Sequence, residues 1–307
     1  MQYTGSVNRF LWNYCLPILA LFYVLFLAFD YYHLENNSDG IINKKIKNIT
    51  EAKGIDGVIL GGSNAFFSLS AELLTIDSER KWLNLSLLSE GNSDKNYWLF
   101  IQSSLNESQR SKVTDVVYSS VTPLRYEHIS DRKRSKLNLL GEKNFIGTLP
   151  TKSIGYYLKK IYIDRDLILK KISYPLPNNY GDFDFSSFEC QMEDSVIQFE
   201  RNLNEKDVSD WVNSQLSNLI ILFPKSNLYF VVPSEFYGDS LDNNKVNQSD
   251  KILRDSVKYF NKINNKKVFF IRQESFSPSS LVCDSPFHAS SDGRIWRTHD
   301  LVGKMRN

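Results

Sequence analysis

Residues 57–74 read GVILGGSNAFFSLSAELL. The opening GVIL is short and wholly apolar, the pattern of a strand buried on both faces. Gly61-Gly62 ends it, and a helix starts over Ser70–Leu74. A buried strand that passes through a glycine turn into a helix is the first half of a parallel β–α–β unit.

The alternation continues along the chain. Trp82–Leu85 reads as a second strand and Asp94–Leu105 as an aromatic-rich helix. Val113–Ser120 (VTDVVYSS), Leu228–Val232 (LYFVV) and Val268–Ile271 (VFFI) read as three more strands. Between them, Val208, Trp211, Val212, Leu219 and Ile220 mark one helical face, and Ile252, Leu253, Val257, Phe260 and Ile263 mark another. A last helix is expected from about Ala289 to the end. Five strands alternating with helices predict an α/β domain with a parallel sheet covered on both faces. Active residues of such sheets gather on loops at the carboxyl ends of the strands.

The domain is expected over 55–307, with an insertion at about 124–200 where the alternation stops. From Arg125 to Lys171 the insertion holds twelve Lys or Arg against five Asp or Glu. Those charges read either as a solvated irregular segment or as a lid for an anionic or sugar substrate. Residues 33–54 (ENNSDG, then KKIKN) read as a linker with a short helix.

Before the linker, Phe10–Tyr32 (FLWNYCLPILALFYVLFLAFDYY) is long enough to cross a bilayer as a helix, with Trp12, Tyr14, Tyr31 and Tyr32 near its ends. The alternative is a cleaved signal peptide, but the apolar run is long for one and no A-x-A-like site follows. Residues 1–32 are therefore expected to be a membrane anchor. Arg9 precedes the span, whereas Asp30, Glu35 and Asp39 follow its core. This asymmetry predicts a single-pass protein with its main domain periplasmic or extracellular. Cys190 and Cys283 could pair in such a compartment or remain two buried thiols. A formal net charge of +2 points away from nucleic acid. No cysteine or histidine spacing suggests a metal site, and no cofactor is expected.

Ser63 follows the first strand in Gly61-Gly62-Ser63-Asn64-Ala65. The glycines let backbone amides approach a ligand, and a serine opening a helix sits where negative charge is favoured. The same pattern would serve a plain turn in which Ser63 caps a helix. A serine nucleophile needs a base. Of His33, His128, His288 and His299, only His288 lies in the loop after the last strand, within Asp284-Ser285-Pro286-Phe287-His288. Asp284 is near enough in a turned loop to orient the imidazole; otherwise His288 is a loop histidine without a role.

GVILGGSNAFFSLSAELL resembles the first sequence block of SGNH hydrolases, and DSPFHASSDGRIWRT (284–298) resembles their last block. The two stand at opposite ends of the soluble chain, and the resemblance spans roughly 55–305. It implies a flavodoxin-like three-layer α/β/α fold with Ser63, His288 and Asp284 as catalytic triad. It also implies an oxyanion hole from the Ser63 amide and Gly91, which follows the second strand. The family's third block usually supplies an asparagine side chain, and Tyr118–Pro123 has none. Asn92 or Asn64 could stand in, or Ser120 or Thr122 could donate. Asn64 and Arg294 are further candidates for substrate contacts.

Single-span, outward-facing members resemble enzymes that place acetyl or other acyl groups on cell-surface polysaccharides. That implies a polysaccharide acceptor and an acyl donor delivered by a multi-span membrane acyltransferase. A carbohydrate esterase or deacetylase, or a non-catalytic glycan-binding or assembly subunit, are the alternatives.

Overall fold

The computed structural model describes residues 17–18, 21, 23–24, 38–87, 95–121, 123, 175–188, 190, 203–233, 235, 243–273, 279–283 and 287–306. In chain order these form α1 (Ser38–Glu51), β1 (Gly57–Gly61), α2 (Ser63–Ser68), α3 (Ala71–Ser78), β2 (Trp82–Asn84), α4 (Lys95–Ser104), α5 (Glu107–Arg110), β3 (Asp115–Ser119), α6 (Glu205–Leu222), β4 (Asn227–Val232), α7 (Asn243–Asn264), β5 (Val268–Arg272) and α8 (Ser291–Arg306).

The five strands form one sheet in the order β2-β1-β3-β4-β5, and every pairing is parallel. This is the flavodoxin-like order, whose ligands lie where the strand order reverses, between β1 and β3 at their carboxyl ends. The sheet expected from the apolar runs is thus the one observed, although β3 is trimmed at both ends relative to the expected Val113–Ser120.

Side chains alternate between the two faces, as the strand period of two requires. Val58, Leu60, Val116, Tyr118, Leu228 and Phe230 join the larger core with residues of α1, α4, α6 and α7. Ile59, Val117, Tyr229, Val231 and Ile271 face the smaller one with residues of α2, α3 and α8. Helices therefore cover both faces in three layers.

Gly61 is required where β1 turns into α2. Its φ is +140°, and a Cβ there would come within 2.0 Å of the Ser119 carbonyl oxygen. Its own N–H donates to the Tyr97 hydroxyl at 2.9 Å. Alanine at 61 has no strain-free solution, so Gly61→Ala is expected to lose about 2–3 kcal/mol or more. A urea melt within about 0.5 kcal/mol of wild type would show that the turn tolerates a side chain.

Two segments differ from the sequence expectation. Residues 38–51, expected to be a linker with a short helix, form a four-turn helix α1 that is packed into the domain, with Ile41, Ile42, Lys45 and Ile49 buried. The polar composition hid one apolar stripe. Residues 175–190, expected in an irregular insertion, are fixed to the domain in their described part. The Tyr180 carbonyl accepts the Asn84 N–H at 2.7 Å, extending the β2 edge, and Phe183 is fully buried. Asp182 accepts from the Ser70 hydroxyl and from the Ala71 and Glu72 amides at 2.7–3.0 Å, which ties this segment to the start of α3.

The rest of the insertion from 124 to 174, and most of Phe10–Tyr32, lie outside the described residues. Pro17, Ile18, Leu21, Tyr23 and Val24 of that apolar stretch are helical and exposed. Among the described residues no helix is long and apolar enough to cross a membrane.

Candidate active site

Ser63 is the first residue of α2 and stands, half-buried, at the carboxyl end of β1. Gly62 supplies the first helical acceptor: its carbonyl takes the N–H groups of Ala65 at 3.0 Å and Phe66 at 3.1 Å. The Ser63 and Asn64 amides precede these bonds, at the end of a helix where amides lack intrahelical partners.

His288 comes from the far end of the sequence. Its imidazole stacks on the Phe67 ring with centroids 4.4 Å apart and planes 13° from parallel. Phe67 is four residues after Ser63 on α2, and helix residues four apart share a face about 5–6 Å apart at Cβ. One short helix, starting at the carboxyl end of β1 beside β3, thus carries both the serine and the ring on which the imidazole stacks.

The described residues on either side of His288 are held by backbone bonds. Val282 and Ala289 form an antiparallel bridge. The Cys283 N–H donates to the His288 carbonyl at 2.8 Å, and the Ser290 N–H donates to the Leu281 carbonyl at 2.9 Å. Cys283 is joined to Cys190 by a disulfide with Cα atoms 4.6 Å apart. Of the two options open in the sequence, pairing is the one observed. Asp284, Gly91 and Asn92 lie outside the described residues, as do His33, His128 and Thr122.

Asn64 and Arg294 are placed by inward contacts. Asn64 is only 1% exposed. Its side-chain NH2 donates to Ser119 Oγ at 3.0 Å and its backbone carbonyl accepts from Arg297 Nη1 at 3.0 Å, which fixes it inward beside Ser63. Ser120, a candidate donor at the end of β3, is likewise buried. Arg294 donates to the Phe183 carbonyl at 2.5 Å and lies 4.7 Å from the Phe185 ring centroid, so it joins α8 to the 183–185 segment. Burial lowers its pKa, with Asp182 opposing the shift.

The sequence reading missed the groups that hold the site together. Arg297 is fully buried beneath it and donates to Gln273 Oε1, to the Asn64 carbonyl and, through Nη2, to Ser119 Oγ at 3.0 Å. It thereby links the carboxyl ends of β3 and β5 to α2. Burial lowers its pKa to about 9. Nothing in DGRIWRT marks that arginine as internal. Phe67 had a signal, its spacing of four from Ser63. It belongs to a cluster with Phe66, Phe183, Phe185 and Phe188.

Lys45 extends this support outward. Its Nζ donates to the Asn84 and Gly181 carbonyls at 2.6 Å each and lies 4.4 Å from the Phe66 ring centroid. Desolvation lowers its pKa to about 7 against the opposing pull of Asp182. A lysine with a depressed folded pKa destabilises the fold while charged. That penalty is complete below about pH 7 and fades as pH rises toward 10.5, where the unfolded chain also loses its proton. Replacing Lys45 leaves two buried carbonyls without their donor, at about 1–3 kcal/mol each. Lys45→Met is therefore expected to be less stable than wild type, by a margin that widens between pH 7 and pH 9. Urea midpoints across that range would refute the assignment if the margin stayed constant.

No family model matches the chain, and no curated protein matches its sequence. Solved structures do resemble its course. A Streptococcus pneumonia protein described as a platelet activating factor is 8% identical, with a TM-score of 0.44 over 92% of this chain and 99% of that one. A family two carbohydrate esterase from Clostridium thermocellum is 10% identical, with a TM-score of 0.43 over 83% of this chain and 65% of that one. The acetyl xylan esterase Est2A from Butyrivibrio proteoclasticus is 10% identical, with a TM-score of 0.42 over 83% and 64%. The chain spans just under two thirds of the length of the two esterases. Likeness at this level adds nothing to the sheet order, and the chemistry rests on the residues.

Proposed function

We propose that the chain is an SGNH-type serine acyl-transfer enzyme in which Ser63 is the nucleophile, His288 the base and Asp284 the group that orients it. The observation that carries this reading is the His288 imidazole stacked on Phe67, one helical turn along from Ser63, at the carboxyl ends of β1 and β3. Nucleophilic acyl transfer requires a serine and a base within reach of one another, and a helix that carries both Ser63 and the ring under His288 supports that pairing of residues 225 positions apart.

In the first step His288 takes the Ser63 hydroxyl proton as Oγ bonds to the ester carbonyl carbon. The Ser63 and Gly91 amides hold the oxyanion. Collapse breaks the bond to the departing alcohol, which receives the proton from His288 and leaves acyl-Ser63. A second hydroxyl then gives its proton to His288 and attacks the acyl carbon, and the proton returns to Ser63 as the new ester departs.

The acceptor in this reading is a sugar hydroxyl of an extracytoplasmic polysaccharide and the acyl group is acetyl. The Cys190–Cys283 disulfide supports an oxidising compartment, and the Phe10–Tyr32 stretch supports a membrane anchor. A single span has no route for a cytoplasmic acyl donor, so a multi-span membrane acyltransferase would deliver it. With water as acceptor the same residues make a carbohydrate esterase.

The test is to treat the detergent-solubilised full chain with 4-nitrophenyl acetate and follow nitrophenol release and the mass of the Ser63 peptide. An acetyl adduct on Ser63 is expected. Adding xylo-oligosaccharides separates transfer from hydrolysis by whether sugar ester or free acetate accumulates. Turnover that leaves Ser63 unmodified and survives Ser63→Ala would overturn the proposal.

A further inference from the structure

We infer that Ser68 and Phe67 are positioning residues for His288, so that the six-residue helix α2 is the template setting the distance between nucleophile and base; this rests on the serine-enzyme reading above.

Ser68 is fully buried. Its hydroxyl donates to the Phe287 carbonyl at 3.0 Å and accepts the Ala289 N–H at 3.0 Å. These two groups belong to the residues on either side of His288. One hydroxyl therefore grips the backbone before and after the imidazole-bearing residue, using its donor and an acceptor lone pair together. Phe67 performs the matching task on the ring, stacking beneath it at 4.4 Å. Ser63, Phe67 and Ser68 all sit on α2, so a shift of the helix carries nucleophile, platform and clamp together. The bridge between Val282 and Ala289 and the Cys283-to-His288 backbone bond join residues 282–283 to 288–289. Ser68 instead joins that loop to α2, across more than 200 residues of sequence.

Placement of this kind enters the rate directly, because misplacing a reacting group by about 1 Å can lower it about a hundredfold. A purely structural role would affect melting alone. The measurements are kcat and KM for 4-nitrophenyl acetate, the rate of fluorophosphonate labelling at Ser63, and thermal melting, for Ser68→Ala, Ser68→Thr and Phe67→Leu. Ser68→Ala and Phe67→Leu are expected to lower kcat about 10- to 100-fold with KM within about twofold of wild type, and to slow labelling in proportion. Ser68→Thr keeps the hydroxyl and is expected to recover much of the loss. Phe67→Leu retains an apolar side chain and decides the matter should Ser68→Ala fail to fold.

Folded variants with kcat within twofold of wild type would overturn the inference while leaving Ser63 and His288 standing. A wild type that neither turns over ester nor labels at Ser63 would instead sink the serine-enzyme reading. Positioning is then read from the His288 ring resonances in NMR. One sharp set in wild type, broadened or shifted in Ser68→Ala and Phe67→Leu, supports it; unchanged spectra refute it.

Discussion

Ser63→Ala is expected to lower turnover of 4-nitrophenyl acetate about a thousandfold or more, His288→Ala to do nearly the same, and the double variant to be little worse than either alone. The third result is the most diagnostic. Members of a catalytic unit act together, so removing the second costs little once the first has gone. Alanine at 63 removes the atom that attacks and leaves the backbone amide in place. Alanine at 288 removes the proton acceptor but leaves the backbone bonds held by Ser68 and Cys283. Asp284→Asn tests the proposed orienting group and is expected to lower kcat strongly with the fold intact. Losses from the two single variants that multiplied in the double variant would mean independent roles, and the shared proton would have to be abandoned. Far-UV circular dichroism on each protein separates a lost site from a lost fold.

The sheet was legible because parallel strands covered on both faces must be apolar throughout. GVIL, LYFVV and VFFI stand out from any helical period for that reason, and their glycine and polar flanks mark the turns. Ser63 and His288 stood out as candidates by placement after the first and last strands, whose carboxyl ends the all-parallel pairing puts on one side of the sheet. What holds them was not. Ser68 reads as one serine among several in GGSNAFFSLS, and its partners lie 219 and 221 residues away. Lys45 sits within KKIKN, where composition suggests solvent, because no local pattern announces that two carbonyls and a phenyl ring will receive an ammonium. Arg297 is equally silent. Apolar burial leaves a periodic trace in sequence, whereas long-range polar satisfaction does not.

Opening the Cys190–Cys283 disulfide is expected to lower stability by about 2–4 kcal/mol and to slow ester turnover by a larger factor than loss of a remote cross-link would. The bond spans 93 residues, so reduction frees a long loop in the unfolded chain, where the entropic effect of a cross-link is greatest. Its position adds a local consequence. Cys283 lies in the loop that carries His288 and donates its N–H to the His288 carbonyl, while Cys190 closely follows the segment whose Phe183, Phe185 and Phe188 pack around Phe67. Reduction therefore loosens the imidazole's loop and the aromatic wall beneath it together. A pair of melts, with and without dithiothreitol, should differ for wild type and coincide for the Cys190→Ser/Cys283→Ser protein. Turnover at a temperature where both forms remain folded should fall about tenfold on reduction, through kcat, since a loosened loop misplaces the base before it exposes the core. Identical melts would mean that the cross-link adds nothing to the fold. A stability loss with turnover unchanged would assign the disulfide to the fold alone and leave Ser68 and Phe67 as the groups that hold His288 in register.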